Sequence, residues 1–186
     1  MNGALKKSAR MSFDDYLAFE EAATTRHELI DGVLFAMSGG TDVHNLICTN
    51  LIVLIAGPLI GKCQVFQAAM KLRVDPRIDS DGYYPDILVS CAPTDRERLY
   101  RKEPVLLIEV TSPSTARLDR GEKRLNYLQI PSLQEYVLVA QDIPKIEIMC
   151  RSEAWVTREL YPGDVLELDS VGLKLPLSAI YQTITF

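Results

Sequence analysis

Apolar residues are spaced along the chain in ways that divide it into alternating helical and extended stretches. After Ser12, the positions Phe13, Tyr16 and Leu17 predict a helix to about Ala22, capped by the serine and begun by Asp14 and Asp15, which suit its positive end. His27 to Ile30 and Val33 to Met37 flank Asp31-Gly32, a pair able to take the positive backbone angles of a two-residue turn, so a β-hairpin is expected. Gly39-Gly40 breaks the chain, and Thr41 or Asp42 then caps an apolar helix from His44 to about Ile60, ended by Pro58 and Gly61. Three β-rich runs follow, Gln64 to Val74, Tyr84 to Cys91 and Val105 to Thr111, expected as sheet neighbours separated by loops at Asp75 to Gly82 and Ala92 to Pro104.

Between Thr115 and about Gln129, Leu118, Leu125 and Leu128 recur at helical spacing and Pro131 provides the stop, which predicts an amphipathic helix. Glu135 to Val139 reads as a strand, Lys145 to Cys150 and Trp155 to Leu160 as an antiparallel pair, and short apolar pieces surround Leu166 and Leu173. The sum is an α/β sheet with a β-rich C-terminal edge, and 186 residues without repeats or an obvious linker suit a single domain.

Composition narrows the classes. With 47% hydrophobic and 24% charged residues the chain can bury a substantial core and is not a disordered tail. The net charge of -5 argues against a nonspecific coat on nucleic acid, though a carboxylate site balanced by a metal would still be compatible with nuclease chemistry. Cys48, Cys63, Cys91 and Cys150 form no C-x-x-C pair, three of them lie in apolar runs that suit a buried free thiol, and a reducing cytoplasm is the expected setting. No signal peptide is evident after Lys6, Lys7 and Arg10, and the apolar stretch from Leu46 to Ile60 falls short of a bilayer span, so no membrane association is expected.

Two acids interrupt the apolar pattern. Val105-Leu106-Leu107-Ile108-Glu109-Val110 is apolar on both faces, as in an interior strand, and an unpaired carboxylate there costs several kcal/mol unless it meets a cation, hydrogen-bond donors or a metal. Asp86 opens a second apolar strand just after Pro85; alone it reads as a turn residue, but with Glu109 it supplies the oxygen ligands that Mg²⁺ prefers. Asp119, Lys123 and Tyr127 share one face of the following helix while Leu118, Leu125 and Leu128 mark another, so Lys123 is either a group serving a phosphate or one half of a solvated pair with Asp119. Arg117, Arg120 and Arg124 make this helix the most basic stretch, suited to phosphate contact or simple exposure. Glu28, on a strand face with Ile30, is a third candidate acid, and His44 a candidate contact to substrate or water. With only two histidines in the chain, a zinc site is not expected.

These stretches resemble a known family. His27-Glu28-Leu29-Ile30-Asp31-Gly32, Tyr84-Pro85-Asp86-Ile87, Ile108-Glu109-Val110-Thr111-Ser112-Pro113-Ser114-Thr115 with Asp119, Lys123 and Tyr127, and Glu135-Tyr136-Val137-Leu138-Val139 are similar to the Uma-type branch of the PD-(D/E)xK restriction-endonuclease superfamily, over about Ser12 to Asp142. The resemblance implies a central mixed β-sheet flanked by helices, Mg²⁺ (or Mn²⁺) on Asp86 and Glu109, Lys123 as the catalytic lysine, and DNA as substrate. The lysine that the wider superfamily places two residues after the glutamate is Thr111 here, so its role passes to Lys123; Glu28 is the choice for the remaining acid. His44, Arg120, Arg124 and Tyr127 complete the expected substrate contacts. A homodimer through the C-terminal edge would let two sites address two strands. The competing reading keeps the fold but not the catalysis, as a protein-binding or nucleic-acid-binding module.

Overall fold

The computed structural model describes residues 10–37, 39–75, 80–112 and 116–186. Helix α1 (Phe13–Ala22) leads into strands β1 (His27–Ile30) and β2 (Val33–Ala36), then α2 (Asp42–Leu59), β3 (Gln64–Gln67), β4 (Lys71–Val74), β5 (Asp81–Tyr83), β6 (Ile87–Ser90), β7 (Tyr100–Arg101) and β8 (Leu106–Thr111). A helical segment of α3 (Ala116–Leu118), a π-helical turn (Asp119–Lys123) and α4 (Arg124–Tyr127) precedes β9 (Glu135–Ala140), β10 (Ile146–Cys150), β11 (Thr157–Leu160), β12 (Val165–Leu168), β13 (Leu173–Pro176) and α5 (Leu177–Ile180).

Ser12 caps α1 by accepting the Asp15 N–H, and Thr41 caps α2 by accepting that of His44. The β1–β2 turn has Asp31 and Gly32 at φ of 51° and 74°, the positive angles the Asp-Gly pair predicts. A six-stranded mixed sheet runs in the order β11-β10-β9-β8-β6-β3, with β8 and β9 parallel and the other pairings antiparallel. A second sheet of five strands runs β2-β1-β5-β4-β7, and β12 pairs with β13 alone. Pairing β8 with β9 in parallel requires a crossover, which the α3–α4 segment supplies.

Alternation along the central strands sends side chains to two cores. Ile87, Val89, Ile108, Val110, Val137 and Val139 meet Ile47, Leu51 and Ile55 of α2 and the C-terminal Leu166, Leu177 and Ile180. On the other face, Leu88, Leu107, Tyr136 and Leu138 pack with Leu72 and Tyr83 of the five-stranded sheet and with Tyr127 and Ile130. The central sheet thus lies between α2 on one side and the second sheet with the α3–α4 segment on the other.

Five expectations need correction. Pro58 lies inside α2, in its last turn, where the N–H it lacks costs little near the helix end. The run Gln64 to Val74 is two strands in different sheets, broken where Ala68 takes a positive φ of 24°. Cys63 and Cys91 are disulfide-bonded, because β3 and β6 pair side by side, whereas Cys48 and Cys150 are free. By length and composition α2 could cross a membrane, since the helix begins at Asp42, before the apolar run, and reaches 18 residues. The π-turn segment buries Asp119, Lys123 and Tyr127 and leaves Leu125 68% exposed, so its polar face is the inward one. Its expected start at Thr115, with Pro113 and Ser114 of the family motif, lies outside the described residues.

Candidate active site

Asp86 stands where the chain leaves β5 for β6 and so passes from one sheet to the other; antiparallel pairing of β6 with β8 brings it beside Glu109. The Asp86 N–H points to Glu109 Oε2 at 3.4 Å, and the Val110 N–H donates to Asp86 Oδ2 at 2.7 Å. The α3–α4 segment then lays Lys123 over the strand ends. Its ammonium lies 2.9 Å from Glu28 Oε1, 3.3 Å from Glu109 Oε1 and 3.6 Å from Asp119 Oδ1. Tyr127 donates its hydroxyl to the same Glu109 oxygen at 3.0 Å, and Glu28 also accepts the Tyr84 N–H. Single π-helical turns frequently occur at functional sites, and here one carries both Asp119 and Lys123.

The electrostatics follow from burial and crowding. Burial pushes the Glu109 carboxyl well above the ordinary range; Lys123 opposes this, while Asp86, Asp119 and Glu28 add to it. Burial alone would lower the pKa of Lys123, but Glu109, Glu28 and Asp119 outweigh it and hold the ammonium charged. His44 Nε2 lies 3.2 Å from Asp86 Oδ1, and this hydrogen bond, with a lesser one to Cys48, raises the imidazole pKa to about 10 against the effect of burial. Four carboxyl groups, Glu28, Asp86, Glu109 and Asp119, are therefore crowded around Lys123 and His44.

Asp86, Glu109, Asp119 and Lys123 floor a cavity of about 530 Å³ whose walls include Arg26, Thr41, His44, Asn45, Tyr84 and Gln141. Glu28, Asp86, Glu109 and Lys123, singled out from sequence, are thus brought together, and His44 joins them. The other expected substrate contacts lie elsewhere. Arg120 is turned away into a bidentate pair with Glu147 of β10, Tyr127 is fully buried behind Glu109, and Arg124 does not line the cavity. Sequence reasoning missed Arg26, which sits on the rim with its guanidinium 5.8 Å from the Tyr84 ring, and Cys48, whose spacing of four residues from His44 was the available signal.

The architecture and the sequence both have known counterparts. The model of the family Uma2, described as "Putative restriction endonuclease", matches residues 13–178. Two uncharacterized proteins of Synechocystis sp. are similar along nearly their whole length: one is 33% identical over 95% of this chain and 94% of its own, the other 33% identical over 87% and 93%. The crystal structure of a "putative nuclease belonging to DUF820" from Anabaena variabilis superposes with a TM-score of 0.78 at 17% identity, covering 92% of this chain and 98% of that one.

Proposed function

The chain belongs to the Uma2 family, and from that premise we propose that it is an endonuclease that hydrolyses DNA with a divalent cation, Mg²⁺ or in its place Mn²⁺, held by Asp86 and Glu109. The observation that supports this most is the crowding of acids at the cavity: three on one buried lysine, with a fourth alongside. Such a cluster is costly to fold unless something offsets it, because the protein interior screens like charges poorly. Carboxylate oxygens are the ligands that hard divalent cations prefer, so the donor set fits.

When bound, the cation supplies Lewis acidity to the phosphate and lowers the pKa of the attacking water. The protein's own groups do the rest. Lys123 and Tyr127 both engage Oε1 of Glu109, which fixes the carboxylate plane and leaves Oε2 on the Asp86 side. Val110 N–H and His44 fix the two Asp86 oxygens in the same way. Lys123, held charged by Glu28, presents a cation to a phosphate oxygen or to water in the cavity; Arg26 offers a second at the rim. Burial and mutual hydrogen bonding of these side chains keep the geometry ready before substrate arrives.

The test is cleavage of supercoiled plasmid by wild-type protein and Asp86→Asn in Mg²⁺ and in Mn²⁺. Nicking or linearisation by the wild type and its loss in the variant is the expected result. A folded wild-type protein that binds the cation and cuts no form of DNA would overturn the proposal.

A further inference from the structure

Beside this cavity, His44 and Asp86 meet a third group, Cys48, that the chemistry above does not use. His44 and Cys48 are one turn apart on α2 and so share a face of the helix, and that face meets the end of β6 at Asp86. His44 Nε2 lies 3.6 Å from Cys48 Sγ and 3.2 Å from Asp86 Oδ1, and the three donor atoms all fall within 4.8 Å of one another. Cys48 is a free thiol, 2% exposed, in contact with His44.

Those distances can be compared with a coordination polyhedron. With zinc bonds of about 2.05 Å to nitrogen, 2.1 Å to oxygen and 2.3 Å to sulfur, tetrahedral angles place nitrogen about 3.4 Å from oxygen and about 3.55 Å from sulfur. The observed separations match both edges within about 0.2 Å, so a cation could be seated with little movement of the imidazole, and only the thiol-to-carboxylate edge has to close.

We propose that His44, Cys48 and Asp86 form a site for a thiophilic divalent cation of the zinc type, with its fourth position open to the cavity. An imidazole, a thiolate and a carboxylate are a borderline-soft set that selects zinc or cobalt over magnesium. On binding, the Cys48 thiol and the imidazole release their protons to solvent, and the Sγ and Nε2 lone pairs form the new bonds. Resting on the nuclease reading, there is a consequence for regulation: zinc takes Asp86 away from its pairing with Glu109, so it inhibits the magnesium-dependent reaction by competition.

The test uses reduced full-length protein and Co²⁺ as a spectroscopic probe. Wild-type protein and Cys150→Ser should show a thiolate-to-cobalt charge-transfer band that Cys48→Ser lacks, with Cys48→Ser binding Zn²⁺ at least about 100-fold more weakly, since even the loss of an outer-shell partner costs up to that much. Cys48→Ser should still bind Mn²⁺ and should resist inhibition by zinc. In case the variant does not fold, X-ray absorption at the zinc edge of loaded wild-type protein should show one sulfur in a four-coordinate shell. A band that persists in Cys48→Ser, or a zinc shell of oxygen and nitrogen only, would overturn the proposal. Because the band is read without substrate, its appearance in a protein that cuts no DNA would sink the nuclease reading and leave this site standing; DNA cleavage with no band would do the reverse.

Discussion

Glu109 and Glu135 are both buried glutamates in apolar strands of the same parallel β8–β9 ladder, and they are treated in opposite ways. Glu135 accepts hydrogen bonds from the backbone N–H groups of Asp169 and Ser170 and from the Ser170 hydroxyl. Burial still raises its pKa, but every named neighbour interaction through hydrogen bonds stabilises the charge. Glu109 has Lys123 and Tyr127, yet Asp86, Asp119 and Glu28 all crowd it with like charge beside an open cavity. The lesson is that burial alone does not mark a functional acid. A structural acid comes with donors enough to satisfy it, whereas the acid in the site is left short of positive charge.

The comparison can be broken most severely at Lys123. Lys123→Met removes the cation that touches three buried acids, and unfolding in urea should show a loss of about 3–5 kcal/mol, as for one half of a buried ion pair. Glu135→Gln should cost about 1.5–3 kcal/mol, the range for hydrogen bonds to a charged group, with Mn²⁺ affinity unchanged. Glu109→Gln is expected to have the opposite sign, with metal-free protein gaining on the order of 1 kcal/mol at neutral pH. The pH dependence follows from the raised Glu109 pKa: the folded state holds a proton that the unfolded state has lost, so wild-type stability falls as pH rises from the ordinary glutamate value through the folded one. Below that window both states are protonated and the variant's advantage disappears. The smallest effect is at His44, whose ring signals should titrate near pH 10 in NMR spectra and move back towards the ordinary histidine range in Asp86→Asn; its stabilising contribution is complete below the ordinary value and is lost as pH rises through about 10.

The strand acids were legible in the sequence because they interrupt apolar runs, and a resemblance could be attached to the motifs around them. What escaped depended on partners distant along the chain. Glu28 could not be told from an exposed hairpin charge until Lys123 arrived from the helix 95 positions later, a span read from their sequence numbers. Periodicity marked Leu125 with Leu118 and Leu128, but the inward face is the one carrying Asp119, Lys123 and Tyr127, because acids on β1 and β8 supply what buried polar groups need. Arg120 looked like a phosphate contact only because Glu147, on β10, was not visible as its partner. Glu135 passed as an ordinary strand residue for the same reason, its donors lying in the β12–β13 connection. The Cys63–Cys91 bond depends on β3 pairing with β6 and has no signature in spacing.

The central claim, that Glu109 is left short of positive charge so that a divalent cation can be held between it and Asp86, is tested most directly by calorimetric titration of Mn²⁺ into wild-type protein, Glu109→Gln and Glu135→Gln. The account predicts binding of one ion by the wild type and by Glu135→Gln, with release of a proton, and none by Glu109→Gln. Wild-type protein that takes up no Mn²⁺, or Glu109→Gln that binds it as tightly as the wild type, would contradict it and leave the cluster as an internally balanced part of a fold without catalysis.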